Sequence, residues 1–248
     1  LEVYIPGDGK ERLIIGIDHV FLSKYKRDNP TRPPGFAMEL RKHLGKVDSV
    51  EQRGFDRILE IQSGDTRLIC EVFGKGNFIL VKDDKIIGAL RQEEWADRDI
   101  LVGEKYVYPE PAPDPREMEN YIENLDDGEV VRRIASDLSL GGTYAEEICE
   151  RTGVEKTEDV SELDEDDRQS INSEIRNIIE EERYPVVYYD ENSFPKRASP
   201  FRLNTYSGME EESFESFSES LDEYYYTREK KQEEKKKLDA YNEKLEGL

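Results

Sequence analysis

Ile58-Leu59-Glu60-Ile61, Arg67-Leu68-Ile69-Cys70-Glu71-Val72 and Asn77-Phe78-Ile79-Leu80-Val81 follow one another with Gly64-Asp65 and Gly74-Lys75-Gly76 between them. Short runs rich in Ile, Leu, Val and Phe, separated by glycine-bearing turns, read as successive strands joined by tight connections. From Val47 to Leu90 the pattern keeps a period of two, which predicts an antiparallel meander. Upstream, Leu13, Ile15 and Ile17 alternate after Pro6-Gly7-Asp8-Gly9 and predict a β-hairpin. Val3, Tyr4 and Ile5 read as a strand already under way, so the chain is expected to begin inside a longer protein.

Between hairpin and meander, Asn29-Pro30-Thr31-Arg32-Pro33-Pro34-Gly35 excludes helix, because proline removes donors and restricts the residue before it. It delivers the chain into a helix at Phe36, where Phe36, Leu40 and Leu44 share one face and Arg41 and Lys42 the open flank. Downstream, Pro109-Glu110-Pro111-Ala112-Pro113-Asp114-Pro115 reads as a stiff extended linker. From Arg116 to about Arg183 the periodicity is helical throughout.

Inside that block, Leu140-Gly141-Gly142-Thr143 precedes a helix that Thr143 is placed to cap. The turn resembles a helix-hairpin-helix element, whose amides receive phosphate; glycines that merely let two helices close together are the other reading, and Glu146 and Glu147 oppose an anion. Tyr184 to Asp190 is strand-like and is expected to return to the first sheet. Phe214, Phe217, Leu221, Tyr224, Arg228, Lys231, Lys235, Leu238, Asn242 and Leu245, in steps of three and four, read as the root of a coiled coil with a weak middle. The expected fold is therefore α+β: a β-rich domain over 1–110, an acidic helical domain over 111–183, a return segment over 184–212 and a coiled-coil start over 213–248.

A net charge of -22 is unlike that of most RNA binders, since phosphate draws Lys and Arg. Its distribution is bipolar. Residues 24–57 hold nine Lys/Arg against five Asp/Glu, a net of +4, whereas residues 110–183 hold eight against twenty-four, a net of -16. An acidic surface this extensive suits a haloarchaeal cytoplasm of near-molar salt, and an ordinary solvated acidic face is the open alternative. Cys70 and Cys149 lie far apart in apolar patterns without metal-ligand spacing, which predicts buried thiols in a reducing compartment. His19 and His43 stand alone. No apolar stretch is long enough to span a bilayer, so no membrane association is expected.

Thr31-Arg32-Pro33-Pro34-Gly35-Phe36-Ala37-Met38-Glu39-Leu40-Arg41-Lys42-His43-Leu44, with Asn29-Pro30 before it and Gly54-Phe55-Asp56-Arg57-Ile58 after it, resembles the NFACT-N domain of the RqcH/NEMF family of ribosome quality-control factors. The likeness continues through Glu71 to Leu80, Leu140 to Val154, Ser199-Pro200-Phe201 and Phe214 to Asp222, and so covers nearly the whole chain. It implies a cytoplasmic binding protein rather than an enzyme, with no cofactor. Such a factor binds tRNA and the large ribosomal subunit obstructed by peptidyl-tRNA, and supports untemplated C-terminal alanine tailing of the stalled chain. It also leaves room for a homo-oligomer through the coiled coil.

The family's tRNA-linked Asp-Arg pair matches Asp56-Arg57, and its Glu-led segment near the anticodon region matches Glu71, Val72, Phe73, Lys75 and Asn77. Phe73 and Lys75-Gly76 depart from the Met and Arg-His-Ser of bacterial relatives and suggest a shifted tRNA preference. The family's N-terminal motif, with a further Asp, is expected to precede Leu1. Chemically, an Arg fork grips phosphate or stacks on a base, but neighbours in a strand face apart, so Asp56 and Arg57 share a ligand only at a bulge or strand end. Lys24, Lys26, Arg27, Arg41 and Lys42 are candidate RNA-backbone contacts, with Tyr25 a ring able to stack on a base. Two other functions remain open on sequence: a glycosylase or lyase acting on nucleic acid, and a fibronectin-binding adhesin.

Overall fold

The structure, a computed structural model, describes residues 2–5, 9–27, 31–95 and 98–246. Pro6-Gly7-Asp8 of the expected hairpin turn, Asn29-Pro30, and the side chains of Val3, Tyr4, Ile5, Asn242 and Leu245 lie outside the described set. In chain order the elements are β1 (Glu2–Ile5), β2 (Gly9–Ile15), β3 (Val20–Ser23), α1 (Gly35–His43), β4 (Ser49–Gln52), β5 (Ile58–Ser63), β6 (Thr66–Glu71), β7 (Asn77–Lys82), β8 (Lys85–Ala89), β9 (Glu93–Glu94) and β10 (Asp99–Ile100). Then come α2 (Val130–Asp137), α3 (Gly142–Thr152), α4 (Glu165–Glu180), β11 (Val186–Tyr189), β12 (Pro195–Ser199), β13 (Glu210–Ser213) and α5 (Phe217–Glu246). The fold is α+β with antiparallel sheets. The described chain forms two compact units: one holds Ile15–Val20 and Arg27–Met118, the other the residues up to Ile14, Phe21–Lys26 and those from Glu119 on.

The first of these is built on the meander β4-β5-β6-β7-β8, each strand pairing with its sequence neighbour as the alternation predicts. Directly paired residues share a face, so one face carries Ile58, Ile69, Ile79 and Val81. Ile86, Ile100 and Tyr106 complete this cluster, and Phe73, Ala89 and Tyr108 pack against it. Burying such a side chain contributes roughly 1.5–3 kcal/mol, and the opposite face is buried as well, by Ile61, Leu68, Cys70 and Leu80, so the central strands are apolar on both sides. The helix α1 lies against the edge strand β8. Ile17 departs from the expected alternation: β2 ends at Ile15, and Ile17 is half exposed in the turn that follows. There it abuts Gly76, where a side chain would meet Ile17 Cα at 2.8 Å.

In the other unit the helical block is interrupted rather than continuous. Only α2, α3 and α4 are α-helical, with short 3-10 turns at Ile122–Asn124 and Val160–Glu162. Asp126-Asp127-Gly128 and Gly153, which has φ +75°, break the periodicity. Gly141, at φ +78°, closes the turn after α2 by donating its amide to the Ala135 carbonyl. It is also the N-cap of α3, so Thr143 sits inside the first turn and caps nothing. The residues from Tyr184 on do not extend the meander; they make a separate sheet in the order β12-β11-β13.

The first turns of α5 pack on β11 and β12. Phe214 lies outside the helix, and two cations of the expected seam are tied down locally. Arg228 donates to the Pro195 carbonyl at 3.1 Å, and the Lys231 ammonium to those of Asn192 and Ser193 at 2.9 and 2.6 Å. Beyond them Leu238 and Tyr241 are exposed.

Candidate nucleic-acid interface

Strand pairing puts the candidate residues Asp56, Arg57 and Glu71 to Asn77 at one end of the five-stranded sheet. Gln52 faces Leu59, Ile58 faces Glu71, Glu71 faces Asn77 and Ile79 faces Ala89. The turns Arg53 to Arg57 and Val72 to Gly76, and the chain leaving Ala89, therefore emerge together. At the opposite end the turns are Gly64-Asp65 and Asp83-Asp84. One end thus gathers Arg53, Arg57, Lys75 and Arg91 around Asp56, whereas at the other Asp65, Asp83 and Asp84 stand among Lys82 and Lys85.

Asp56 and Arg57 are in the turn preceding β5, where backbone alternation does not force them apart. Gly54, at φ +55°, and the bond from the Asp56 amide to the Arg53 carbonyl make that turn. The two side chains nevertheless divide their work. Asp56 Oδ1 accepts the Ala112 amide at 2.9 Å and so pins the proline-rich segment. Arg57 is exposed, and among the described residues its guanidinium has no partner; its carbonyl accepts the Val72 amide at 2.8 Å, which sets it directly beside the next turn. In that turn Gly74 and Gly76, at φ +58° and +65°, carry exposed Lys75 at the tip. Val72 is buried and Phe73 is packed on the sheet core.

Glu71 and Asn77 face inward. Glu71 is buried and holds Arg98 in a two-pronged pair at 2.5 and 3.0 Å, while Tyr106 donates its hydroxyl to Glu71 Oε1 at 2.9 Å. Burial works against the charge of Arg98, but the hydrogen bond and charge of Glu71 outweigh it and raise the guanidinium above its ordinary value. The same surroundings push the Tyr106 phenol up, through burial first and the Glu71 charge second. Asn77 is likewise buried: its amide donates to the Arg91 carbonyl at 2.9 Å, and its oxygen accepts the Phe78 and Arg91 amides at 2.9 and 3.1 Å. Arg91 in turn donates to the Lys75 carbonyl at 2.6 Å. Of the residues matched to the family's Glu-led segment, then, Lys75 alone offers a solvent-exposed side chain, and Glu71, Val72, Phe73 and Asn77 fix the turn's shape.

Arg41 and Lys42 are exposed on α1, Lys42 lying 4.0 Å from Glu39. Lys24 and Lys26 are exposed in the other unit, and Arg27 is half-buried. Tyr25 is not an open stacking platform. Its ring stacks on Tyr226 with centroids 3.7 Å apart, and its hydroxyl donates to Glu223 at 2.5 Å. Burial, and after it the Glu223 bond, raises its phenol above the ordinary range.

Sequence reasoning missed Arg53, Arg91, Trp95 and Arg98. Arg53 lies over the Tyr108 ring at 3.8 Å, and that phenol donates to Glu60 at 2.8 Å and is pushed up to about 12 by burial, then by Glu60. The signal for Trp95 was available: a large aromatic among Glu93, Glu94 and Arg98 in a turn-like stretch has no apolar pattern to join. Cys70 and Cys149 are buried free thiols, raised to about 12 and about 11 by burial. No described helix is long and apolar enough to cross a membrane.

Comparison with known proteins gives consistent results. The family model for NFACT N-terminal and middle domains matches residues 2–246. The archaeal Rqc2 homolog aRqcH of Methanocaldococcus jannaschii is 34% identical over 248 residues, covering 91% of this chain and 36% of that protein. The Rqc2 homolog RqcH of Bacillus subtilis is 32% identical over 133 residues, covering 45% of this chain and 23% of its own length. This chain thus spans little more than a third of the archaeal relative. Among solved structures, the fibrinogen binding protein from Staphylococcus aureus superposes with a TM-score of 0.62 at 22% identity, covering 88% of this chain and 84% of that one. The N-terminal part of the fibronectin/fibrinogen-binding protein from Streptococcus suis gives 0.61 at 23%, covering 89% and 84%. At such identities the two structures show a shared fold.

Proposed function

This chain belongs to the NFACT family of RqcH/NEMF type, and from that membership we propose that it is the tRNA-binding part of a ribosome quality-control factor. In this reading the whole protein acts in the cytoplasm, binds tRNA and a large subunit blocked by peptidyl-tRNA, and supports untemplated alanine tailing, with the ribosome making each peptide bond. The α2–α3 pair serves as a helix-hairpin-helix-like element, and α5 begins a coiled coil through which copies can associate. The protein is a binder, and no cofactor enters its role.

The observation that carries this reading is the sheet end where Arg57 and Lys75 stand exposed beside each other's turns, with the acidic turns at the far end. A guanidinium fork and an ammonium are the groups that grip phosphate and base edges. Near-molar salt would suppress counterion release, since binding falls by a power of roughly 0.7–0.9 per phosphate contact. A small local site of fixed shape then matters more than the net charge of -22.

The test is a mobility-shift titration of tRNA with Arg57→Ala at fixed salt. A loss of at least about fivefold, on the order of 1–3 kcal/mol, is expected; undiminished binding would remove Arg57 from the site. Asp56→Ala is a poorer probe, because it also releases the segment held through Ala112.

A further inference from the structure

Trp95 is the chain's one tryptophan, and it is 52% exposed. It lies at the turn of the β9-β10 hairpin, where its amide donates to the Arg98 carbonyl at 3.0 Å. A single exposed apolar side chain is ordinary on a protein surface; what marks Trp95 is an exposed indole bonded into the network that carries the cationic turns. The described residues that flank Trp95 are anchored. Arg98, within the same turn, is locked onto buried Glu71, and donates again to the Val107 carbonyl at 3.4 Å. Glu71 ends β6, one residue before the Val72 amide that bonds to Arg57. Arg91, entering the hairpin, holds the Lys75 carbonyl. An unbroken set of bonds therefore joins the Trp95 turn to the turns of Arg57 and Lys75.

We propose that Trp95 is a stacking platform for an unpaired nucleobase, held in place by the Glu71–Arg98 clamp while Arg57 and Lys75 take the adjoining backbone. This rests on the reading that this end of the sheet binds RNA. The charges around the hairpin favour a base over a phosphate at the indole itself. Glu93, 3.6 Å from Arg91, and exposed Glu94 and Asp99 repel the backbone from this spot, whereas a base presents an uncharged π-face. The polyanion's charge is met at the neighbouring turns. Glu71 becomes a positioning residue: it touches no ligand and sets where the indole stands.

The single tryptophan makes the test direct, because all indole emission from this chain comes from the proposed contact. The chain is titrated with unfractionated tRNA, following Trp95 emission and its quenching by acrylamide, while binding is measured in parallel by mobility shift. The expected result is quenched emission with acrylamide protection that saturates with the mobility shift. Trp95→Phe should retain most of the affinity and Trp95→Ala should lose about 5-fold to 150-fold, the range for one stacked base. Glu71→Gln should weaken binding and leave more of the indole open to acrylamide in the complex. A normal shift with unchanged emission and acrylamide access would overturn the stacking role and leave the RNA-binding reading standing. Absence of any shift would overturn that reading and this inference with it. Fully duplexed RNA that quenches as well as tRNA would also overturn it, because a paired base offers no free face.

Discussion

Each unit contains a buried carboxylate gripped by an arginine, and the two clusters serve different ends. In the sheet unit Glu71 binds one guanidinium, that of Arg98, and one phenol, that of Tyr106. In the other unit Arg151 is shared among Glu147 at 2.6 Å, Glu174 at 3.1 Å and Glu181 at 2.7 Å. Glu147 also accepts the amides of Asn204 and Thr205 at 2.7 and 3.0 Å and the Thr205 hydroxyl at 2.9 Å. This second cluster joins α3, α4 and the segment before β13, where it holds Arg202, Asn204 and Thr205 through backbone bonds: it ties elements of its own unit together. The first cluster lies one residue from the turns that carry Arg57 and Lys75, and it anchors the hairpin of Trp95. A buried ion pair is weak evidence for stability gained over an apolar pair, so its worth has to be sought in what it fixes.

The largest expected effect separates the clusters by stability. Arg151→Ala leaves three carboxylates around an empty place and should cost about 3–5 kcal/mol, read as a lower midpoint in helix-sensitive circular dichroism. Its tRNA affinity, measured where the protein stays folded, should be unchanged. Glu71→Ala should cost about 3 kcal/mol by stranding Arg98, and here tRNA affinity should fall as well. Equal binding losses in the two variants would erase the distinction.

A smaller effect is a pH limb belonging to the helical cluster. Burial of Glu147 opposes its charge, but the Thr205 and Asn204 amides, the Arg151 guanidinium and the Thr205 hydroxyl outweigh it and hold its carboxyl below the usual glutamate range. A depressed folded pKa contributes stability that is present above the unfolded value and is lost as pH falls through the folded one. Unfolding midpoints of the native chain should therefore decline below about pH 4.5 more steeply than those of Glu147→Gln. Parallel acid limbs would show that other carboxylates govern acid unfolding. Smallest of all, Lys75→Ala should move stability by no more than about 0.5 kcal/mol, as exposed substitutions do, while lowering the salt dependence of tRNA binding by about one phosphate contact.

The meander was legible because short runs rich in Ile, Leu and Val are cut by Gly64-Asp65 and Gly74-Lys75-Gly76. Consecutive hairpins then bring the turn of Asp56-Arg57 to the same end as Gly74-Lys75-Gly76 by topology alone. What the sequence hid was which residues face in. Glu71 looks like a polar contact beside a turn until Arg98, 27 residues on, and Tyr106, 35 on, are seen around it. Tyr25 looks like a free ring until Tyr226 covers it. Both partners are distant in sequence and belong to no local pattern. Thr143 misled for the opposite reason: a residue type suited to capping lies two positions beyond the glycine whose backbone makes the turn. The small β9-β10 hairpin has only two residues per strand, too few to display alternation.

The two ends of the five-stranded sheet offer the most direct trial of the central claim. Arg57→Ala/Lys75→Ala removes two cations from one end, and Lys82→Ala removes one from the other, where Lys82 pairs with Asp65 at 2.6 Å. Affinity for tRNA, measured by mobility shift at two salt concentrations, should fall at least tenfold in the double variant and stay within about twofold in Lys82→Ala. Equal losses at both ends, or none at either, would contradict the assignment of RNA binding to the end that carries Arg57 and Lys75.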